Sequence, residues 1–353
     1  MCLYPRLMFN PKYKANKKNG GQVPPVKDKR VLYVPIQCNK CIECRKRISR
    51  QWKTRLEEEI RHNTNGKFVT LTFSNKSIAE ICEMERYFTD GETGRRFKAK
   101  IGETEGYERD NAIATIAVRR FLERWRKKYK KSVRHWLVTE IGHNGTENIH
   151  LHGIIWTDDI KEITRIWQYG YVWEGKETVK GEIINYVNEK TIGYITKYIT
   201  KTDEIHTTYQ SIILTSAGMG MGYTTRYDAT NNKYKEHGTR EYYRTRTGHK
   251  MALPIYWRNK IYTEEEREKL WIEKLDKEER YVCGEKVDIS KGEEEYNKLV
   301  EYYRTINKRM GYSDGYKNYD KEQYEKQRRA IMQETRIKAG RKKIHASGGV
   351  ING

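Results

Sequence analysis

The sequence predicts an α+β protein built from antiparallel strands and amphipathic helices. Three observations carry that class. The segment Phe68-Val-Thr-Leu-Thr-Phe73 is β-branched and aromatic between turn residues. Two apolar runs, 133–141 and 149–156, flank a Gly142-His-Asn-Gly145 turn and read as an antiparallel pair. Apolar residues recur at helical spacing in the charged stretches around 41–61 and 111–131.

Along the chain, residues 1–30 are basic and interrupted by Gly and Pro, and read as an arm. A helix over 41–61 would align Ile48, Trp52, Leu56 and Ile60 in one stripe. After the 68–73 strand, 75–110 is polar, with Asp90-Gly91 and Thr93-Gly94 marking a loop or small hairpin. The 111–131 helix places Val118, Leu122, Trp125 and Tyr129 on one face and Arg and Lys on the other. A short helix over 159–168 follows Asp158 as a cap candidate, and a third main helix is expected over 183–200. A Gly-rich stretch (216–222), a Tyr/Arg-rich stretch (240–257) and a charged helical tail come last. The expected division is 1–62, an arm with a cysteine cluster and basic helix; 63–260, the main domain with an extension; and 261–353, the tail.

Composition narrows the function. The 353 residues hold 70 Lys+Arg against 48 Asp+Glu, a net charge of +22. Charge this positive points to a polyanion, most simply nucleic acid, with an acidic membrane surface as the other option. The 27 Tyr and 8 Trp keep the chain out of the disordered class. No apolar run is long enough to span a bilayer, and Met1–Lys18 lacks a secretory signal's apolar stretch, so an intracellular protein is the expectation.

His150 and His152 alternate along one strand, so both imidazoles project from the same face, about 7 Å apart, and can grip one divalent ion. Glu140 on the preceding strand joins that face if paired residue numbers sum to 290 or 292; a one-residue slip puts it on the wrong side. Such histidines also cap polar sheet faces in proteins without a metal. Tyr194 and Tyr198, four apart on a helix, share a face, with Lys197 and Lys201 three residues after each. Nearby cations would ease deprotonation of a phenol, and a tyrosinate is a nucleophile toward a phosphodiester. Two amphipathic tyrosines at a core edge is the plainer alternative. Cys38, Cys41 and Cys44 repeat every three residues, close enough to share a structural Zn²⁺ or an iron–sulfur cluster, with Cys2 or Cys82 as a fourth thiolate; simple packing is the competing explanation.

Taken in order, Phe68–Phe73, His150-Leu-His152 and Tyr194/Tyr198/Lys201 resemble the three motifs of the HUH endonucleases, the rolling-circle initiators and relaxases. At the N-terminal side, Met1-Cys2 and Pro5, then Val34-Pro-Ile-Gln-Cys38 with Cys41, Cys44, Arg45 and Ser49-Arg-Gln-Trp52, resemble the replication initiation proteins of single-stranded DNA microviruses of the gokushovirus-like branch. Leu253-Pro254, Trp257 and the Gly-rich 216–222 fit as well. The resemblance covers about residues 1–260. It implies an antiparallel sheet of about five strands with the histidines on the central one and helices flanking it. It implies Mg²⁺ or Mn²⁺ held by His150, His152 and Glu140, and catalysis by Tyr194, Tyr198 and Lys201. The implied function is nicking and rejoining of single-stranded origin DNA through a 5′-phosphotyrosine, in a host bacterial cytoplasm, with host helicase and polymerase as partners and no membrane. A non-catalytic nucleic-acid-binding protein, or a relaxase or transposase of the same superfamily, are the alternatives.

Overall fold

The computed structural model describes residues 2–89, 94–104, 106–143, 147–203, 205–206, 209–314, 333, 336–337 and 340–341. The turns expected at Asp90-Gly91 and Asn144-Gly145, and most of the stretch beyond 314, lie outside them. The chain forms two compact units, one of Glu59–Lys201, Thr208–Met219 and Asn318–Gly353, the other of Met1–Glu58, Thr202–Thr207 and Gly220–Lys317.

The first unit is built on a five-stranded sheet. Its strands are β1 (Gly66–Leu71), β2 (Arg134–Ile141), β3 (Ile149–Trp156), β4 (Val172–Trp173) and β5 (Ile213–Thr215). They lie in the order β5-β2-β3-β1-β4, with every neighbouring pair antiparallel. This is the α+β fold with about five strands that the resemblance implied, and the histidine strand β3 is central.

Period-two alternation gives the sheet two different faces. Val69, Leu71, Leu137, Ile141, Ile149, Leu151 and Ile155 point into a core filled from the other side by helices α2 (Asn75–Cys82), α3 (Gly106–Tyr129) and α4 (Lys161–Ile166). Ala112, Ile113, Ala117, Phe121 and Trp125 are the α3 contribution, all buried. The opposite face carries Trp136, Val138, Glu140, His150, His152 and Ile154, and packs against helix α5 (Glu189–Thr200) through β2. Ile192, Ile195 and Ile199 of α5 are fully buried; each such side chain contributes roughly 1.5–3 kcal/mol by leaving water.

Several boundaries move from their expected places for local reasons. The helix expected over 183–200 starts at Glu189, because Ile183–Ile184 pair antiparallel with Lys176–Glu177 and Asn188 caps the helix through the Thr191 amide at 3.0 Å. The 159–168 helix shortens to α4, and the carboxylate at its start is Asp159, accepting from the Lys161 amide, while Asp158 accepts from Asn65. Helix α2 was not expected at all. Ser74 caps it, and its two apolar positions, Ile78 and Ile81, are too few for a periodic signal. After it comes the hairpin Glu85–Thr89 with Arg96–Lys100.

The other unit carries the first turns of helix α1 (Ile42–His62), together with α6 (Ile255–Ile261), α7 (Glu264–Asp276) and α8 (Glu294–Arg309). Tyr223, Tyr243, Leu253 and Trp257 form one of its cores, so the sequence motif Leu253-Pro254 with Trp257 is structural. Gly220 has φ +70°, and a Cβ there would sit 2.5 Å from the Arg55 carbonyl oxygen. The Trp257 indole donates to the Gly220 carbonyl at 2.8 Å. This backbone approach, rather than room for DNA, explains the glycine.

Candidate metal centre and tyrosine pair

The site begins with strand register. Glu140 pairs with His150 and Val138 with His152, the 290 sum under which the carboxylate shares the histidine face. Glu140 Oε2 lies 3.0 Å from His150 Nε2 and 2.9 Å from His152 Nε2. Ligand atoms of the three residues all fall within 4.8 Å of one another. Two imidazole nitrogens and a carboxylate oxygen at that spacing suit a single divalent cation with positions left for water or substrate oxygens.

The outer nitrogens are held too. His150 Nδ1 lies 3.4 Å from the Asn148 carbonyl oxygen, which only accepts, so a proton there leaves Nε2 free to ligate. His152 Nδ1 lies 3.0 Å from Thr70 Oγ1, its cross-strand partner on β1. Thr70 was inside the recognised strand motif but had no assigned role; its pairing across the sheet is what reveals one. Phe68, two residues earlier on the same face, stacks parallel to the His152 ring with centroids 6.4 Å apart and meets Tyr194 edge-on at 6.0 Å.

Tyr194 and Tyr198 come to the same place from α5, whose isoleucine stripe fixes the helix rotation. The Tyr198 ring stacks on His152 at 4.4 Å with planes 10° apart. Its hydroxyl donates to the Tyr194 hydroxyl at 2.6 Å. Tyr194 is half exposed. Lys201, directly after α5, places Nζ 2.5 Å from Glu140 Oε1. All six of Glu140, His150, His152, Tyr194, Tyr198 and Lys201 therefore gather on one face of the sheet.

The electrostatics differ from the expectation of a cation-lowered phenol. Burial raises the Tyr198 phenol above its ordinary value, and its bond to Tyr194 and the Glu140 charge push it further the same way. The Lys201 ammonium is engaged with Glu140 instead. Burial pushes the Glu140 carboxyl upward, but hydrogen bonds from His150, His152 and Lys201 outweigh it and hold the group well below the usual carboxylate range. Burial lowers the His152 imidazole despite its bond to Glu140, which keeps it neutral and able to ligate.

The basic stretch 119–131 lies elsewhere. It is the outer face of α3, behind the sheet, and part of it is committed: Arg124 donates to the Ile166 carbonyl and Lys128 pairs with Glu162. In the expected tail stretch 328–343, Ile337 is buried in the sheet core and Arg336 donates to Asn148 at 2.9 Å. The third basic stretch, 240–246, includes the strand Tyr242–Arg244 of the other unit, and Tyr243 there is buried.

An antiparallel sheet bearing a two-histidine, one-carboxylate centre beneath a tyrosine pair has the chemical groups that a phosphodiester-transfer site requires. Residues 66–203, which contain every member of it, match the family of the replication-associated protein ORF2. The match covers less than half of the chain and supports a role in replication. No curated protein and no solved structure matches the chain. Among the described residues, no helix is long and apolar enough to cross a membrane.

Proposed function

We propose that this chain is a phage replication initiator that nicks and rejoins single-stranded DNA at a replication origin. One observation carries the proposal: the Tyr198 ring lies flat on His152, whose far nitrogen points at the metal-binding carboxylate. A tyrosine stacked on a metal ligand has its hydroxyl beside the position of a metal-bound phosphate.

Glu140, His150 and His152 would hold Mg²⁺ or Mn²⁺, which when bound supplies Lewis acidity to the scissile phosphate. The rest falls to side chains of this chain. A phenolic oxygen attacks phosphorus, an O–P bond forms, and the bond from phosphorus to the 3′ oxygen breaks. The product is a 5′-phosphotyrosine and a 3′-OH that a polymerase can extend. The phenolic proton leaves with the attack, and the departing 3′ oxygen gains one, so the step is balanced without a further reactant. Because the new ester conserves the energy of the old one, the reverse attack by a 3′-OH rejoins a strand without ATP.

Tyr198 begins protonated and bonded to Tyr194, so the Tyr194 oxygen is a ready first acceptor for its proton. Two equivalent hydroxyls also suit a two-cut cycle, in which one tyrosine holds the old strand while the other cuts the regenerated origin. Lys201, released from Glu140 when a cation takes that carboxylate, is within reach to offset phosphate charge.

The test is a covalent adduct on a denaturing gel, using a pool of single-stranded oligonucleotides and Mn²⁺. A DNA-linked band that vanishes with EDTA and in the double variant Tyr194→Phe/Tyr198→Phe is expected. An adduct surviving in the double variant, or no adduct from folded wild-type protein across the cognate replicon's sequences, overturns the proposal in favour of a non-catalytic binder.

A further inference from the structure

Four cysteines far apart in sequence meet in the other unit. Cys2 Sγ lies 3.4 Å from Cys38 Sγ, and Cys38 Sγ lies 3.9 Å from Cys44 Sγ. With Cys41, all four sulfurs fall within 4.8 Å of one another, and none is in a disulfide. Cys2, Cys41 and Cys44 are buried. Of the two candidates for a fourth thiol, the fold selects Cys2; Cys82 is buried in the core of the sheet unit.

The backbone is arranged around one of these sulfurs as well. Asn39 takes the left-handed conformation, φ 59°, and so turns the chain back on Cys38. The Lys40 and Cys41 amides then donate to Cys38 Sγ at 3.4 and 3.3 Å, and the Cys38 amide donates to Cys2 Sγ at 3.3 Å. Amides aimed at sulfur stabilise thiolates. Cys44 lies in the first turn of α1, where the positive end of a 21-residue helix adds to that field. The Ile42 amide is taken up by the Asn307 side chain at 2.8 Å, which fixes the helix start in place.

We infer that Cys2, Cys38, Cys41 and Cys44 hold one zinc ion as a closed tetrathiolate. The spacing selects the nuclearity. Zinc–sulfur bonds of about 2.3 Å in a tetrahedron put sulfurs roughly 3.8 Å apart, the range seen between these thiols. A multi-iron cluster spreads its thiolates over a much larger cage than one in which every pair is within 4.8 Å. Four protein ligands leave no open position, so the ion is structural. It ties residue 2 to the loop before α1 and to α1 itself, within a core completed by Val282 of the hairpin Glu279–Val282/Glu285–Asp288 and by Val300 of α8. A core this small, rich in thiols and short of aliphatic side chains, gains folding free energy directly from the metal.

The experiment uses full-length protein purified without chelator. Elemental analysis should find about one zinc per chain in the wild type, in Cys82→Ser and in the double variant His150→Ala/His152→Ala, and less than about one-fifth of that in Cys44→Ser. Because Cys44→Ser can lose its fold, the wild type is also titrated with an organomercurial. Zinc should be released in proportion as about four thiols react, and a cobalt-substituted sample should show the intense visible bands of tetrahedral tetrathiolate coordination. Metal-free wild-type protein, iron in place of zinc, zinc loss in the histidine variant, or release after only one or two thiols overturns the inference. None of these readouts depends on DNA cleavage, so they are independent of the proposed activity.

Discussion

Lys201 and Glu140 form an ion pair across 2.5 Å, from the residue that follows α5 to the strand that faces it. Glu140 thereby binds a side-chain cation with one oxygen and two imidazoles with the other. A divalent ion entering this centre competes with Lys201 for the same carboxylate. Lys201→Met should therefore bind Mn²⁺ several-fold more tightly by calorimetry, since a nearby positive charge is removed. The same variant should form adduct about tenfold more slowly or worse, because the phosphate loses a compensating charge. Weaker Mn²⁺ binding would mean instead that Lys201 serves to orient Glu140.

Gly153 follows His152 on β3, and a Cβ there would sit 2.0 Å from the Trp136 carbonyl oxygen of β2. The two strands that carry the metal ligands can approach each other this closely only at a glycine. Gly153→Ala should lower stability by about 2–4 kcal/mol in denaturant melts, through a forced shift of a buried ladder. The shift changes the distance between Glu140 and the histidines, so Mn²⁺ affinity should fall along with it. An unchanged melt would show that the ladder yields more easily than its spacing indicates.

Asp203 gives the other unit a pH-dependent contribution to stability. Burial alone would raise its carboxyl, but the His206 ring and amide, the latter at 2.8 Å, pull it down to about 2. A carboxylate depressed in the folded state stabilises the fold above its unfolded value of about 3.9, and that contribution disappears as pH falls toward 2. The shift corresponds to about 2 kcal/mol. Asp203→Asn should cost stability at pH 6 and almost none at pH 2, measured by thermal melts at each pH. Equal losses at both would assign the residue's role to packing and neutral hydrogen bonds.

How much of this was readable in the sequence depended on the range of the interaction. The hairpin of β2 and β3 was legible because its apolar alternation is long and its turn is local. The side of the sheet on which Glu140 falls depended on a parity that alternation restricts, and the observed register is one of the two that suffice. The tyrosine pair was visible as an i, i+4 spacing. Its distance from the histidines was not, because α5 reaches the sheet through three isoleucines separated from β3 by a run of short elements and loops. Cys2 as a fourth thiol was one of two options for the same reason: nothing local distinguishes it from Cys82. The basic face of α3 misled most, since a charged stripe reads alike whether it lies beside a site or, as here, behind the sheet that carries it.

Thr70 is the clearest residue that spacing alone could not assign. It sits opposite His152 across β1 and β3, with Oγ1 3.0 Å from Nδ1. A hydroxyl in that position holds the ring plane and settles which nitrogen faces Glu140, so Thr70 is a positioning residue rather than a ligand. Valine preserves its shape and β-branching while removing the oxygen. Thr70→Val should leave the far-UV spectrum and melting temperature nearly unchanged, yet weaken Mn²⁺ binding by about 10–100-fold, the usual cost of losing such a partner. Serine in its place should restore most of the affinity. Adduct formation should recover at saturating Mn²⁺, since the fault lies in holding the metal and not in the attack. If Thr70→Val bound Mn²⁺ normally and still cleaved slowly, the hydroxyl would have to act on the DNA itself.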